Sequence, residues 1–98
     1  MLRIIKLGKI ECSLDLDYAV SFNEHQVEFT AVFTIEQFYR FKELVRSDTP
    51  FSISGLIDYN IEVLLDKGIE LFKGENNVVH TRLIFSIVTH PINFEKEI

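Results

Sequence analysis

The side chains that could carry chemistry are few. His80 and His90 lie ten residues apart in "NVVHTRLIFSIVTHPI" (77–92), the most apolar segment of the chain, and His25 follows Glu24 in a turn-like "NEH". Two histidines on one face could ligate a metal or act as an acid and base. Read as a strand, 77–90 puts His80 and His90 on the same face as Arg82, Ile84, Ser86 and Val88. The two histidines then stand about 33 Å apart at strand rise. Zinc ligands must all reach within ~2.1 Å of one ion, so this pair is not a metal site. His25 could pair with a carboxylate, but a surface histidine is the simpler reading.

The second candidate is acidic. Glu11, Asp15 and Asp17 alternate onto one strand face, where neighbours stand about 7 Å apart. Asp15 and Asp17 could hold a hard cation or work as an acid–base couple. No EF-hand loop or glycine-rich phosphate cradle accompanies them. A solvated face, or a ladder against Arg3, Lys6 and Lys9, is the reading preferred here. Cys12 is the single cysteine and falls on an apolar strand face, which makes it a buried inert thiol. Ser13, Ser21, Ser52, Ser54 and Ser86 all fall on strands, and none sits in a nucleophile motif. The expectation is a protein without cofactor, metal or catalytic residues.

Composition narrows the partners. The 98 residues are 47% hydrophobic and 26% charged, with a formal net charge of −5. That is a globular composition and one domain's length, 1–98, with "NFEKEI" at 93–98 as a charged tail. A net acidic surface repels phosphate backbones, so nucleic acid is a poor partner. Acids and bases are segregated: Arg3, Lys6 and Lys9 fill residues 1–10, and six carboxylates with no Lys or Arg follow between Glu11 and Glu36. Complementary neighbouring strands explain this. No apolar run reaches the ~20 residues of a membrane span. "MLRIIKLGKI" lacks the features of a signal peptide. A cytoplasmic protein, or part of a particle assembled there, is expected.

The elements that must position these residues follow from periodicity. Residues 2–7 read as a strand with Gly8 as a kink or turn. In "IECSLDLDYAVSF" (10–22) apolar residues occupy every second position, which predicts one long strand. "NEH" turns the chain, and "QVEFTAVF" returns antiparallel. The period then changes. Thr34 and Gln37 form a capping box, and Phe33 and Phe38 form a hydrophobic staple. Phe38, Phe41 and Val45 make the apolar stripe of a helix over 34–47. After Pro50 come 51–54 and an alternating strand from Ile57 to Leu65. A hairpin follows, with Asp66 and Lys67 in its turn and Gly68 in the left-handed position, then 69–73, a turn at "GENN", and a last strand over 77–90.

The fold expected is α+β and mainly antiparallel: a small β-barrel or sandwich of about six to seven strands, with the helix between the third and fourth. That element order resembles the OB-fold, whose members bind single-stranded nucleic acid or oligosaccharide. The same ingredients look like the tail-tube and related assembly proteins of bacteriophages. Both resemblances are architectural and carry over no residue roles. The last strand is apolar on both faces, so its second face needs a cover. The function expected is therefore a non-catalytic structural or interaction domain that self-assembles or joins other subunits, with Arg82, Ile84, Ser86 and Val88 as its interface. The alternative is a small binding module, either an OB-like binder or an acidic protein that docks on and inhibits a basic partner.

Overall fold

The computed structural model describes residues 2–88. His90 and the 93–98 tail lie outside the described residues. The chain forms strands β1 (Leu2–Leu7), β2 (Ile10–Asp15), β3 (Ser21–Phe22) and β4 (Gln26–Phe33), then helix α1 (Ile35–Arg46). Strands β5 (Phe51–Ser54), β6 (Ile61–Lys73) and β7 (Val79–Ile87) complete it, with a short 3-10 turn at Glu75–Asn77. All pairings are antiparallel, in the order β2-β1-β5-β6-β7-β4-β3. A further pairing of β2 with β4 closes six of the strands into a ring. The fold is α+β and mostly antiparallel, as expected, with one more strand in its ring than an OB-fold has.

The core fills the ring. Ile5, Leu7, Cys12, Leu14, Phe29, Ile53, Val63, Leu83 and Phe85 are buried there. Phe85 packs at 5.7 Å on both Phe29 and Phe51. Helix α1 lies over one end of the ring and packs on β2 and β4. Its capping box forms as read: Gln37 N–H donates to Thr34 Oγ1, and Thr34 N–H donates to Gln37 Oε1. The staple forms too, with Phe33 and Phe38 at 5.8 Å, and Phe33 also stacks on Phe41 at 5.0 Å. The charge segregation resolves in part as complementary strands, with Lys6 opposite Glu11 in the β1–β2 ladder.

Three expectations change. The predicted strand over 10–22 is broken into β2 and β3, so four strands precede the helix and three follow it. Leu14 pairs with Ala31 and Ser21 pairs with Glu28, so six residues (15–20) stand against only Phe29 and Thr30. The excess of four is even, so the in–out parity read from the sequence resumes at Phe22, opposite Val27. The break begins at Asp15, whose Oδ1 accepts from the Asp17 N–H and whose carbonyl accepts from Tyr18. Such local bonding gives an aspartate an alternative to the ladder.

Second, no strand runs through Ile57 and Tyr59. Gly55 turns the chain with φ of +87°, and residues 55–59 are bends held where Arg3 donates to the Leu56 carbonyl. Third, "LDKGI" is no hairpin. Strand β6 runs unbroken through it along β7, with register shifts between Leu65 and Lys67 and between Glu70 and Phe72. Asp66 is absorbed as a bulge there and accepts a hydrogen bond from Ser86.

Candidate functional site

The ring's outer face across β4, β7 and β6 gathers most of the chemistry-bearing side chains. Alternation on β7 buries Val79, Thr81, Leu83 and Phe85 inward and turns His80, Arg82, Ile84 and Ser86 outward. Opposite them stand Val32, Thr30 and Glu28 on β4, and Phe72, Ile69 and Lys67 on β6. Loop 16–20, extruded between β2 and β3, caps this face. Its Ala19 carbonyl accepts from Arg82 Nη1 at 2.7 Å. Thr30 and Val32 are buried despite facing outward, and Arg82 bridges Thr30 to the loop.

Beneath the loop lie two polar clusters. His80 Nδ1 stands 3.2 Å from Asp15 Oδ2, with the Asp15 side chain only 5% exposed. The Phe72 ring stacks on the imidazole at 4.1 Å between centroids. Arg82 Nε donates to Glu28 Oε2 at 2.8 Å, and its Nη1 donates to Thr30 Oγ1 at 3.0 Å as well as to Ala19. Each cluster pairs a cationic or donor group with a carboxylate, which is how charge is tolerated in a half-buried layer.

The sequence-predicted residues fall as follows. Asp15 and Asp17 do not converge as a pair of ligands: Asp15 turns under the loop to His80, while Asp17 is exposed. Among the described residues no three metal-ligating side chains cluster. His25 is exposed, 3.7 Å from Glu24. Cys12 is buried, and burial, with the Glu11 charge adding to it, pushes its thiol up to about 12. Of Arg82, Ile84, Ser86 and Val88, two are engaged within the chain, Arg82 through its network and Ser86 through Asp66. Ile84 and Val88 are half-buried.

Sequence reading missed the Asp15–His80 pair because its partners are 65 residues apart and meet only through ring closure. It also missed the loop as a cover. The one available signal was Asp15–Asp17, a pattern able to form an Asx-type turn within an apparent strand.

Several apolar side chains stay at the surface around the two clusters. Leu16, Tyr18 and Val20 on the loop, and Ile69 and Phe72 on the outer side of β6, are each between 38% and 48% exposed. Compared with known protein families, curated proteins and solved structures, the chain matches none. No described helix is long and apolar enough to cross a membrane.

Proposed function

We propose that the chain is a non-catalytic interaction domain that assembles with copies of itself or with other subunits through the outer face of β6–β7 and the overlying loop. The observation that carries this is the set of half-exposed apolar side chains there: Leu16, Tyr18, Val20, Ile69 and Phe72. Apolar side chains gathered on one face of a small domain mark contact surfaces. Pairing of Arg82 with Glu28 and of His80 with Asp15 supports the reading, because it consumes the charges that would otherwise have to be desolvated on contact. No hydroxyl or thiol nucleophile bonds to the Asp15–His80 pair among the described residues, which favours a structural role for it. An assembled particle of this kind is the setting we favour over a nucleic-acid complex, given the net charge of −5.

The test is solution mass by light scattering across a wide concentration range. An oligomer is expected, reverting to monomer when Ile69→Lys and Phe72→Lys are introduced together. A wild-type chain that stays monomeric at the highest concentration would sink the proposal.

A further inference from the structure

Strand β6 has an open edge. Strand β5 covers it only over 61–63, and among the described residues no strand pairs the side of β6 away from β7 over 64–73. Residues 66–73 are all exposed, with Ile69 and Leu71 at 41% and Phe72 at 48%. Such an edge is a template for pairing with another chain unless it is short or carries proline, and this one is long and has none.

The ladder with β7 fixes which backbone groups the edge offers. Val88 N–H donates to the Glu62 carbonyl. Antiparallel alternation from that bond directs the backbone of Ser86, Ile84 and Arg82 at β6, and that of their partners Leu64, Lys67 and Ile69 at β7. Gly68 and Glu70 therefore point their N–H and C=O groups at the open edge.

The bulges restrict what can pair there. Residues 65–68 are four against three on β7, and residues 70–73 are again four against three. A regular strand laid on this edge would fall out of register at both places. A second copy of β6, antiparallel about Ile69, sets 65–68 of each chain against 70–73 of the other, so every extra residue faces an extra residue.

Charge selects the same arrangement. A two-fold axis places one residue of the strand against its own copy. Lys67 or Glu70 in that position would oppose like charges, and Gly68 there would bring Glu70 opposite Asp66. With Ile69 on the axis, the two Ile69 side chains meet on the outer face and each Glu70 stands opposite Gly68 of the other copy. Lys42 and Gly68 wall the same cleft, so the carboxylate that fills the space over Gly68 comes beside a lysine.

Resting on the assembly reading above, we propose that its partner is a second copy of this chain, joined edge to edge: β6 pairs antiparallel with β6 of the other copy, with Ile69 on the two-fold axis. The antiparallel sheet then runs on from one ring into the next.

Light scattering, amide exchange and cross-linking of the full chain test this. Gly68→Pro removes an edge-facing N–H and no bond of the β7 ladder, so it should weaken the dimer roughly tenfold or more, as loss of one hydrogen bond from each copy implies, while the circular dichroism of the monomer is kept. In wild type, exchange at Gly68 and Glu70 should slow as concentration rises. Ile69→Cys should form a disulfide-linked dimer on mild oxidation, because an unbonded antiparallel pair holds its Cα atoms about 4.5 Å apart. Lys67→Cys, about 13 Å from its copy at strand rise, should not. The wild-type chain, whose Cys12 is buried, is the blank. An oligomer that survives Gly68→Pro, edge amides indifferent to concentration, or Lys67→Cys cross-linking as readily as Ile69→Cys each overturns the proposal and leaves the assembly reading standing. If Gly68→Pro does not fold, the wild-type amides and the two cysteine variants decide. A wild-type chain that is monomeric throughout overturns both.

Discussion

Asp15 and His80, 65 residues apart in sequence, meet at 3.2 Å on the outside of a closed ring of strands. Asp15 ends β2 and His80 is the second residue of β7, and neither strand pairs with the other; β4 lies between them. The pairing of β2 with β4 is last seen at Leu14, while Asp15 stays paired with Leu2 on β1; its Oδ2 reaches His80 Nδ1 while its Oδ1 accepts the Asp17 N–H. One carboxylate thus turns the chain and anchors the turn.

It follows that Asp15→Ala should cost more than an ordinary surface change. It removes the acceptor of a backbone donor and leaves a half-buried imidazole without its partner. A loss of about 2 kcal/mol is expected in urea denaturation, with faster amide exchange over Leu16–Val20. Asp15→Asn keeps an acceptor oxygen for Asp17 and should recover a large part of the loss. A cost within experimental error for Asp15→Ala would show that the loop is held elsewhere.

Arg82 is the other anchor. Its guanidinium spans Glu28, Thr30 and the Ala19 carbonyl, three acceptors from two nitrogens. A lysine ammonium cannot reproduce that planar fork. Arg82→Lys is therefore expected to retain the Glu28 attraction but release the loop, with exchange rising at Ala19 and Val20 and a loss of about 1 kcal/mol. Arg82→Ala should lose about twice that, because Glu28 is then left without its ion pair in a setting only 33% exposed. Wild-type stability for Arg82→Lys would show that charge alone, not the fork, matters, and equal loss in both variants would show that the charge contributes nothing.

Cys12 offers a check on the core. Its thiol is held at about 12 in the folded chain, first by burial and then by the charge of Glu11, against an ordinary value of 9.0. The folded state therefore keeps a proton that the unfolded state releases. Stability from this source is complete below pH 9 and falls as pH rises toward 12, with a slope of at most about 1.4 kcal/mol per pH unit. Cys12→Ala should be less stable at neutral pH, yet should lack that contribution to the alkaline slope. In wild type, thiol modification at pH 8 should be far slower in buffer than in denaturant.

Much of the fold was legible because it depends on local pattern. Thr34, Gln37, Phe33 and Phe38 specify the helix start within six residues, and alternation specifies which side of β2 and β4 faces inward. The outer face was not legible. Alternation says that Asp15 points away from the core; it cannot say that His80 waits there, nor that loop 16–20 will cover them. The parity of 10–22 is the same for one long strand as for two strands separated by an even excess. Nothing local distinguishes them until β4 is seen to offer two residues against six.

Gly68 makes the sharpest test of what the sequence misjudged. As the left-handed residue of a hairpin it would be irreplaceable, since only glycine adopts positive φ without strain. In the structure it is an ordinary strand residue opposite Leu83, and Gly8 and Gly55 are the described glycines with positive φ. A methyl group added at Gly68 meets Leu83 Cδ2 at 3.4 Å, ordinary contact, whereas one at Gly55 meets the Ile4 carbonyl oxygen at 3.2 Å. Gly68→Ala is therefore expected to be neutral or to stabilise by about 0.5 kcal/mol through the unfolded state. Gly55→Ala, strained in φ and crowded by backbone, should cost about 1–3 kcal/mol. Thermal melts of the two variants decide between the arrangements: a Gly68→Ala penalty as large as that of Gly55→Ala would restore the hairpin and break β6 in two.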